Sequence, residues 1–92
     1  METRHAALSK EQVIKVANNA ARRHGQTPEK MHVEYDEGNS HWRDVARGPW
    51  PELEGRDFQA VIYWHQPPIP EGGLWILIDR NSGEVLSVEE AP

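Results

Sequence analysis

Two short apolar segments, 58–65 (FQAVIYWH) and 74–79 (LWILID), constrain the fold most strongly. Successive side chains of a strand point to opposite faces. The first segment therefore divides into Phe58, Ala60, Ile62 and Trp64 on one face and Gln59, Val61, Tyr63 and His65 on the other. The second divides into Leu74, Ile76 and Ile78 against Trp75, Leu77 and Asp79. Both segments are apolar on both faces, so a sheet built from them needs cover on both sides.

One helix is predicted, from about Lys10 to His24. Ser9 is a favourable N-cap, and Gln12 three residues later completes a capping box. Gly25 follows in the position that commonly ends a helix. The apolar residues repeat at helical spacing and include many alanines: Val13, Val16, Ala17, Ala20 and Ala21. A helix of this length is about 22 Å long and covers one face of a sheet.

After the helix the apolar residues repeat every second position. We predict strands at Met31–Asp36, Phe58–His65, Leu74–Asp79 and Glu84–Glu90, with a further candidate at His41–Ala46 that points Trp42 inward. Arg47–Gly55 contains two prolines and two glycines and is predicted to be irregular. The order predicts a single α+β domain over residues 1–92, with one N-terminal helix packed on a curved antiparallel sheet of four to five strands.

The predicted helix leaves part of the sheet uncovered. We expect Val61, Tyr63, Trp75 and Leu77 to need a second cover, since burying each such side chain gains roughly 1.5–3 kcal/mol. The 47–55 loop, the N-terminal arm, a second subunit or a ligand could each supply it. These alternatives remain open at this point.

Charge is unevenly distributed along the chain. Residues 1–30 carry six basic and three acidic groups, whereas residues 31–92 carry four basic and twelve acidic groups. The acidic region favours a basic partner and disfavours nucleic acid, which is bound by basic surfaces. The longest apolar run, Leu74–Ile78, is far shorter than the roughly 20 residues that cross a bilayer. The chain has no cysteine and opens without an apolar signal-peptide core, so we expect a cytoplasmic protein.

Sequence motifs give little support to catalysis. The chain contains no G-x-S-x-G, P-loop or H-E-x-x-H motif, and we expect a non-enzymatic protein without a cofactor. Glu52 and Glu54 could act as paired carboxylates. His32, Glu34, Asp36 and His41 could bind zinc or nickel. A solvated strand face explains the latter four residues more simply, so no metal is predicted.

The clearest indication of function is an aromatic anchor in a stiff loop. Trp50 lies between Pro49 and Pro51 and is followed by Glu52 and Glu54. Buried aromatic anchors dominate interface energetics, and proline lowers the cost of ordering a loop. Alternatively, Trp50 plugs the open end of the sheet. The predicted contact surface for a protein partner comprises Trp50, Glu52, Glu54, Tyr63 and Trp75. A homodimeric structural domain and a small-ligand or metal-binding domain are the competing hypotheses.

Two stretches of the chain resemble known families. The helix SKEQVIKVANNAARRHG and the closing FQAVIYWHQPPIPEGGLWILIDRNSGEVLSVEE are similar to bacterial immunity proteins with a nuclear-transport-factor-2-like, cystatin-like fold. The residues that carry the resemblance are Phe58, Trp64, Gly72, Gly73, Ile78, Asp79, Gly83 and Val85. PepSY domains share the Ile-Asp-x-x-x-Gly-x-Val ending. The first resemblance implies a protein that blocks a toxin, and the acidic balance suits a basic toxin such as a nuclease.

Overall fold

The computed structural model describes residues 7–45, 50–65 and 73–90. Its helices are α1 (Lys10–Arg23) and α2 (Ser40–Val45), and its strands are β1 (Met31–Tyr35), β2 (Phe58–His65), β3 (Leu74–Asp79) and β4 (Val85–Glu90). Three short 3-10 turns lie at Pro28–Lys30, Glu37–Asn39 and Pro51–Leu53. The strands form one antiparallel sheet in the order β1-β2-β3-β4, with α1 packed on it. The predicted α+β class is therefore confirmed.

The helix α1 forms as its sequence predicts. The Ser9 hydroxyl accepts a hydrogen bond from the Gln12 backbone N–H (3.2 Å), and the Gln12 side chain accepts one from the Ser9 N–H (2.8 Å). The helix ends at Arg23, with His24 as its C-cap and Gly25 at φ +88°. Its buried stripe packs on one side of the sheet, which we call the first face: Val13, Ala17, Ala20 and Ala21 contact Val61, Tyr63, Leu74, Ile76 and Ile78.

A second segment of the chain covers the opposite side of the sheet, the second face. Trp42 of α2 and Leu53 of the third 3-10 turn pack with Ala60, Ile62, Trp75 and Leu77. Of the alternatives for the second cover, the structure shows the chain's own segment, and this segment begins earlier than the 47–55 loop because it includes α2.

The strand predicted at His41–Ala46 is wrong over its described part, residues 41–45, which belong to α2. Ala46 lies outside the described residues. The Asp36 carboxylate accepts hydrogen bonds from the backbone N–H groups of His41 (3.1 Å) and Trp42 (2.8 Å). A carboxylate that satisfies the first free amides of a helix stabilises its start. The two amides lie five and six residues after Asp36 in the chain. The alternation of apolar and polar residues, from which the strand was predicted, contains no sign of such a contact.

The predicted grouping of side chains by face is also corrected. Antiparallel pairing places Val61 opposite Ile76 and Tyr63 opposite Leu74, and all four lie under α1. Trp75 instead pairs with Ile62 and lies with Leu77 on the second face. The two-residue alternation within a strand separates the side chains of its two faces. Only the register between neighbouring strands shows which face of one strand lies on the same side of the sheet as which face of the next.

Candidate functional site

A continuous row of aromatic rings runs across the second face. Successive ring centroids lie 5.0 Å apart from Trp50 to Trp42, 5.5 Å from Trp42 to Trp75, 5.3 Å from Trp75 to His41 and 5.6 Å from His41 to Trp64. We call these five residues the aromatic row. Trp42 and Trp75 in its middle are buried, whereas Trp50 and Trp64 at its ends are half-buried. The row therefore reaches the surface at two places that its buried middle holds at a fixed separation.

Buried polar side chains position α2, which contributes two rings of the row. Besides the Asp36 carboxylate, Asn39 takes part: its amide donates to the Phe58 carbonyl (2.8 Å) and its side-chain oxygen accepts from the Ala60 N–H (2.8 Å). Just past the end of β1, the Asn39 side chain thus acts as the hydrogen-bond partner of the β2 backbone, as a further strand residue would. Asn39 adopts φ +57°, a conformation that asparagine tolerates. Gln59 completes the arrangement by donating to the Asp36 carbonyl (2.6 Å).

One end of the row lies beside a carboxylate. The Trp64 indole N–H donates to Glu34 Oε1 (3.1 Å), and Nδ1 of His41 lies 3.7 Å from Glu34 Oε2. The side chains of His41 and Glu34 are each 37% exposed. A half-exposed indole beside an accessible carboxylate can bind a lysine or arginine through ion pairing and a cation–π contact together.

The other end of the row also carries a carboxylate. A shallow depression of about 280 Å³ is lined by Trp50, Pro51, Leu53 and Glu54. Glu54 is exposed, and the Trp50 indole nitrogen is buried without a hydrogen-bond partner among the described residues. The side chain of Glu52 lies outside the described part of the structure. This end thus repeats the combination of tryptophan and glutamate in a different local geometry.

The structure separates the predicted contact residues into two groups. Trp50 and Glu54 line the same shallow depression, where Trp50 is half-buried and Glu54 is exposed. Tyr63 is fully buried on the first face and Trp75 is 5% exposed on the second, so neither offers a partner a contact surface in this conformation. The prediction is corrected for these two residues, because α1 covers Tyr63 and the segment around α2 covers Trp75.

Tyr63 has a structural explanation of its own. Its hydroxyl donates to the Asn18 side-chain oxygen of α1 (2.8 Å), which joins the helix to the sheet. Burial raises the pKa of the Tyr63 phenol far above its usual range, so the group stays protonated and serves as a hydrogen-bond donor.

Sequence reasoning missed Trp64, Glu34 and His41 as members of one surface. The sequence groups Glu34 and His41 only as candidate metal ligands, together with His32 and Asp36. Asp36 is buried, and both of its carboxylate oxygens accept amide hydrogen bonds. Across residues 7–45, 50–65 and 73–90, no group of three His, Cys, Asp or Glu side chains has metal-binding geometry. No local sequence signal groups these residues, because Trp64 comes next to β1 only through the β1–β2 register, in which it pairs with His32.

Comparison of the chain with protein-family models, curated proteins and solved structures finds no match. Among the helices within the described ranges, none has the length and apolar character needed to cross a membrane.

Proposed function

We propose that this chain is a non-enzymatic protein-binding module that acts as an immunity or inhibitor protein and captures a basic surface of a toxin or enzyme. The observation that carries the proposal is the aromatic row, which reaches the surface at two ends with a glutamate beside each. Trp64 lies with Glu34 at one end and Trp50 with Glu54 at the other.

The row is suited to binding because it is rigid before a partner arrives. Trp42 and Trp75 are 6% and 5% exposed, so their packing fixes the spacing between the two ends. A preorganised surface loses little conformational entropy on binding, and tryptophan supplies a large contact area with few rotatable bonds. Affinity can therefore come from a small number of contacts at the two ends.

Charge supports a basic partner. Residues 31–92 carry four basic and twelve acidic groups, and the described residues of the second-face cluster all lie in this region. Acidic groups around an interface raise the association rate of a basic protein and orient its approach. The resemblance of residues 58–90 to immunity proteins adds the class of partner, a toxin. The absence of cysteine suits a reducing compartment, and we place this action in the cytoplasm.

The test is protection against the protein encoded beside the gene for this chain. Co-expression should relieve that protein's toxicity, and calorimetry should give a stable complex. Glu54→Lys reverses one exposed carboxylate at the Trp50 end and should weaken binding about tenfold, mainly through a slower association rate at low salt. Glu11→Lys makes the same charge change at an exposed residue of α1, away from the second face, and serves as the matched control. A neighbour that is not toxic, toxicity that persists, or equal effects of the two variants would each overturn the proposal.

A further inference from the structure

The strand β1 ends the sheet with an open edge. It pairs with β2 on one side, and no strand of the described residues lies on its other side. The Asp36 backbone N–H donates to the Ala60 carbonyl (3.1 Å), in register with the β1–β2 pairs. Backbone groups alternate along an antiparallel strand, so Glu34 and His32 also point theirs to β2. Val33 and Tyr35 consequently direct their backbone N–H and C=O groups to the open edge.

This edge is complementary to itself. If a second β1 pairs antiparallel with Val33 opposite Val33, then His32 of each copy lies opposite Glu34 of the other. On the helix-covered side, Met31 lies opposite Tyr35. The His32 imidazole can hydrogen-bond to the opposed Glu34 carboxylate, and such cross-strand polar contacts, like good apolar contacts, stabilise a pair of strands. The same register is allowed by the backbone, because it joins the residues whose hydrogen-bonding groups point outward.

We propose that this edge binds a second copy of the chain, in a two-fold antiparallel pairing centred on Val33 that joins two four-stranded sheets into one of eight strands. Val33 contributes both its N–H and its C=O, and the Tyr35 N–H meets the Met31 carbonyl of the other copy. The Met31 N–H is not needed, as it already donates to the Pro28 carbonyl. The pairing makes four backbone hydrogen bonds and two His32–Glu34 contacts, and an exposed edge strand is a ready template for such addition.

The other open edge does not offer the same match. β4 (Val85–Glu90) contains glutamates at positions 89 and 90 and no basic residue. Two copies of β4 therefore cannot place opposite charges across from each other in any register. The dimer proposed at β1 shares Glu34 with one end of the aromatic row. Glu54, the residue whose substitution tests the proposed function, lies outside β1, so either proposal can fail while the other stands.

The chain has no cysteine, so engineered disulfides can report the register directly. In the proposed pairing, residue 32 and residue 34 of the other copy form a non-hydrogen-bonded pair whose Cα atoms are about 4.5 Å apart, within the range of roughly 4.4–6.8 Å that a disulfide spans. Two copies of residue 32 are roughly 8 Å apart, beyond that reach. A mixture of His32→Cys and Glu34→Cys chains should form the mixed disulfide dimer, while His32→Cys alone should not. Absence of the mixed dimer, or efficient linkage of His32→Cys to itself, overturns the proposal.

Sedimentation of the cysteine-free chain tests the His32–Glu34 contacts. His32 is exposed, so substitutions there should leave the fold intact. His32→Glu sets four carboxylates at the edge and should raise the dimer dissociation constant about tenfold, whereas His32→Lys should keep or tighten the dimer. Asn81→Glu adds the same charge in the exposed β3–β4 turn and is the control. A chain that stays monomeric at high concentration, or equal behaviour of His32→Glu and Asn81→Glu, contradicts the inference.

Discussion

The two faces of the sheet are covered in different ways. The first face lies under α1, a helix of 14 residues whose buried stripe is mostly alanine and valine. The second face lies under the six-residue α2 and a 3-10 turn, which contribute Trp42 and Leu53. A long helix with small side chains lies flat on a sheet along several turns, whereas a short segment must rely on a few large side chains.

The polar contacts that hold the two covers differ as well. On the first face the part-buried sheet-to-helix bond joins neutral groups, Tyr63 and Asn18. Among the described residues, a carboxylate is used there only at the exposed contact between His24, the C-cap of α1, and Glu90 of β4 (3.3 Å). On the second face, carboxylates hold the cover near both ends: Asp36 binds the amides of α2, and Arg56, just after the 3-10 turn, donates to Asp79 (3.2 Å) and Glu84 (2.9 Å). The comparison indicates that apolar area stabilises the first cover and that charged tethers position the second.

The largest expected effect on stability comes from truncating, one at a time, two neighbouring side chains of β3 to alanine. Ile76 faces α1 and Leu77 faces α2, and both are fully buried. We expect Ile76→Ala to lower the free energy of unfolding by about 4 kcal/mol and Leu77→Ala by about 3 kcal/mol, within the range for such deletions. The short second cover can shift to fill part of its cavity, whereas α1 is fixed along its length. Urea unfolding of the two variants measures the difference, and a larger loss for Leu77→Ala would break the comparison.

The first cover could be predicted from the sequence because its signals are local. The capping box at Ser9, the apolar repeat and Gly25 all lie within one stretch, and the structure confirms each of them. The bounds of β2 and β3 were likewise given by short apolar segments next to turn residues. The second cover could not be predicted in the same way, because Asp36 determines α2 through a contact that local periodicity does not contain.

The second prediction removes that contact. Asp36→Ala leaves the amides of His41 and Trp42 without their acceptor in a largely buried place, and we expect a loss of about 2 kcal/mol in unfolding free energy. Hydrogen exchange should show α2 losing protection while α1 retains it. Glu37→Ala, which removes the exposed carboxylate next to Asp36, is the control and should change the free energy of unfolding by less than about 0.5 kcal/mol. Equal loss of protection in both helices would show that the second cover does not depend on its tether.

The candidate site was only partly accessible from the sequence, for a related reason. Trp50 and Glu54 are close in the chain, so their proximity could be predicted. Trp64 and Glu34 come from different strands, and His41 comes from a helix where the sequence pattern predicts a strand. Their assembly depends on the β1–β2 register and on the position of α2, both of which are tertiary properties.

The smallest expected effect concerns the ion pair between Arg56, just after the third 3-10 turn, and Asp79, and how its contribution to stability changes in acid. Backbone hydrogen bonds from Ser82 and Asn81, together with Arg56, hold the pKa of the Asp79 carboxyl below its usual range. Its charged form therefore stabilises the fold above the unfolded-state pKa of about 3.9, and this contribution is lost as the pH falls through the lower folded-state pKa.

Asp79→Asn should be less stable than the parent at about pH 7 and nearly equal to it at about pH 2, as followed by urea unfolding. Asp57→Asn, at a more exposed carboxylate near Arg80, is the control and should leave the acid slope nearly unchanged. If the curves of the parent and Asp79→Asn ran parallel over this range, the charge of Asp79 would not hold the second cover, and apolar contact alone would explain both faces.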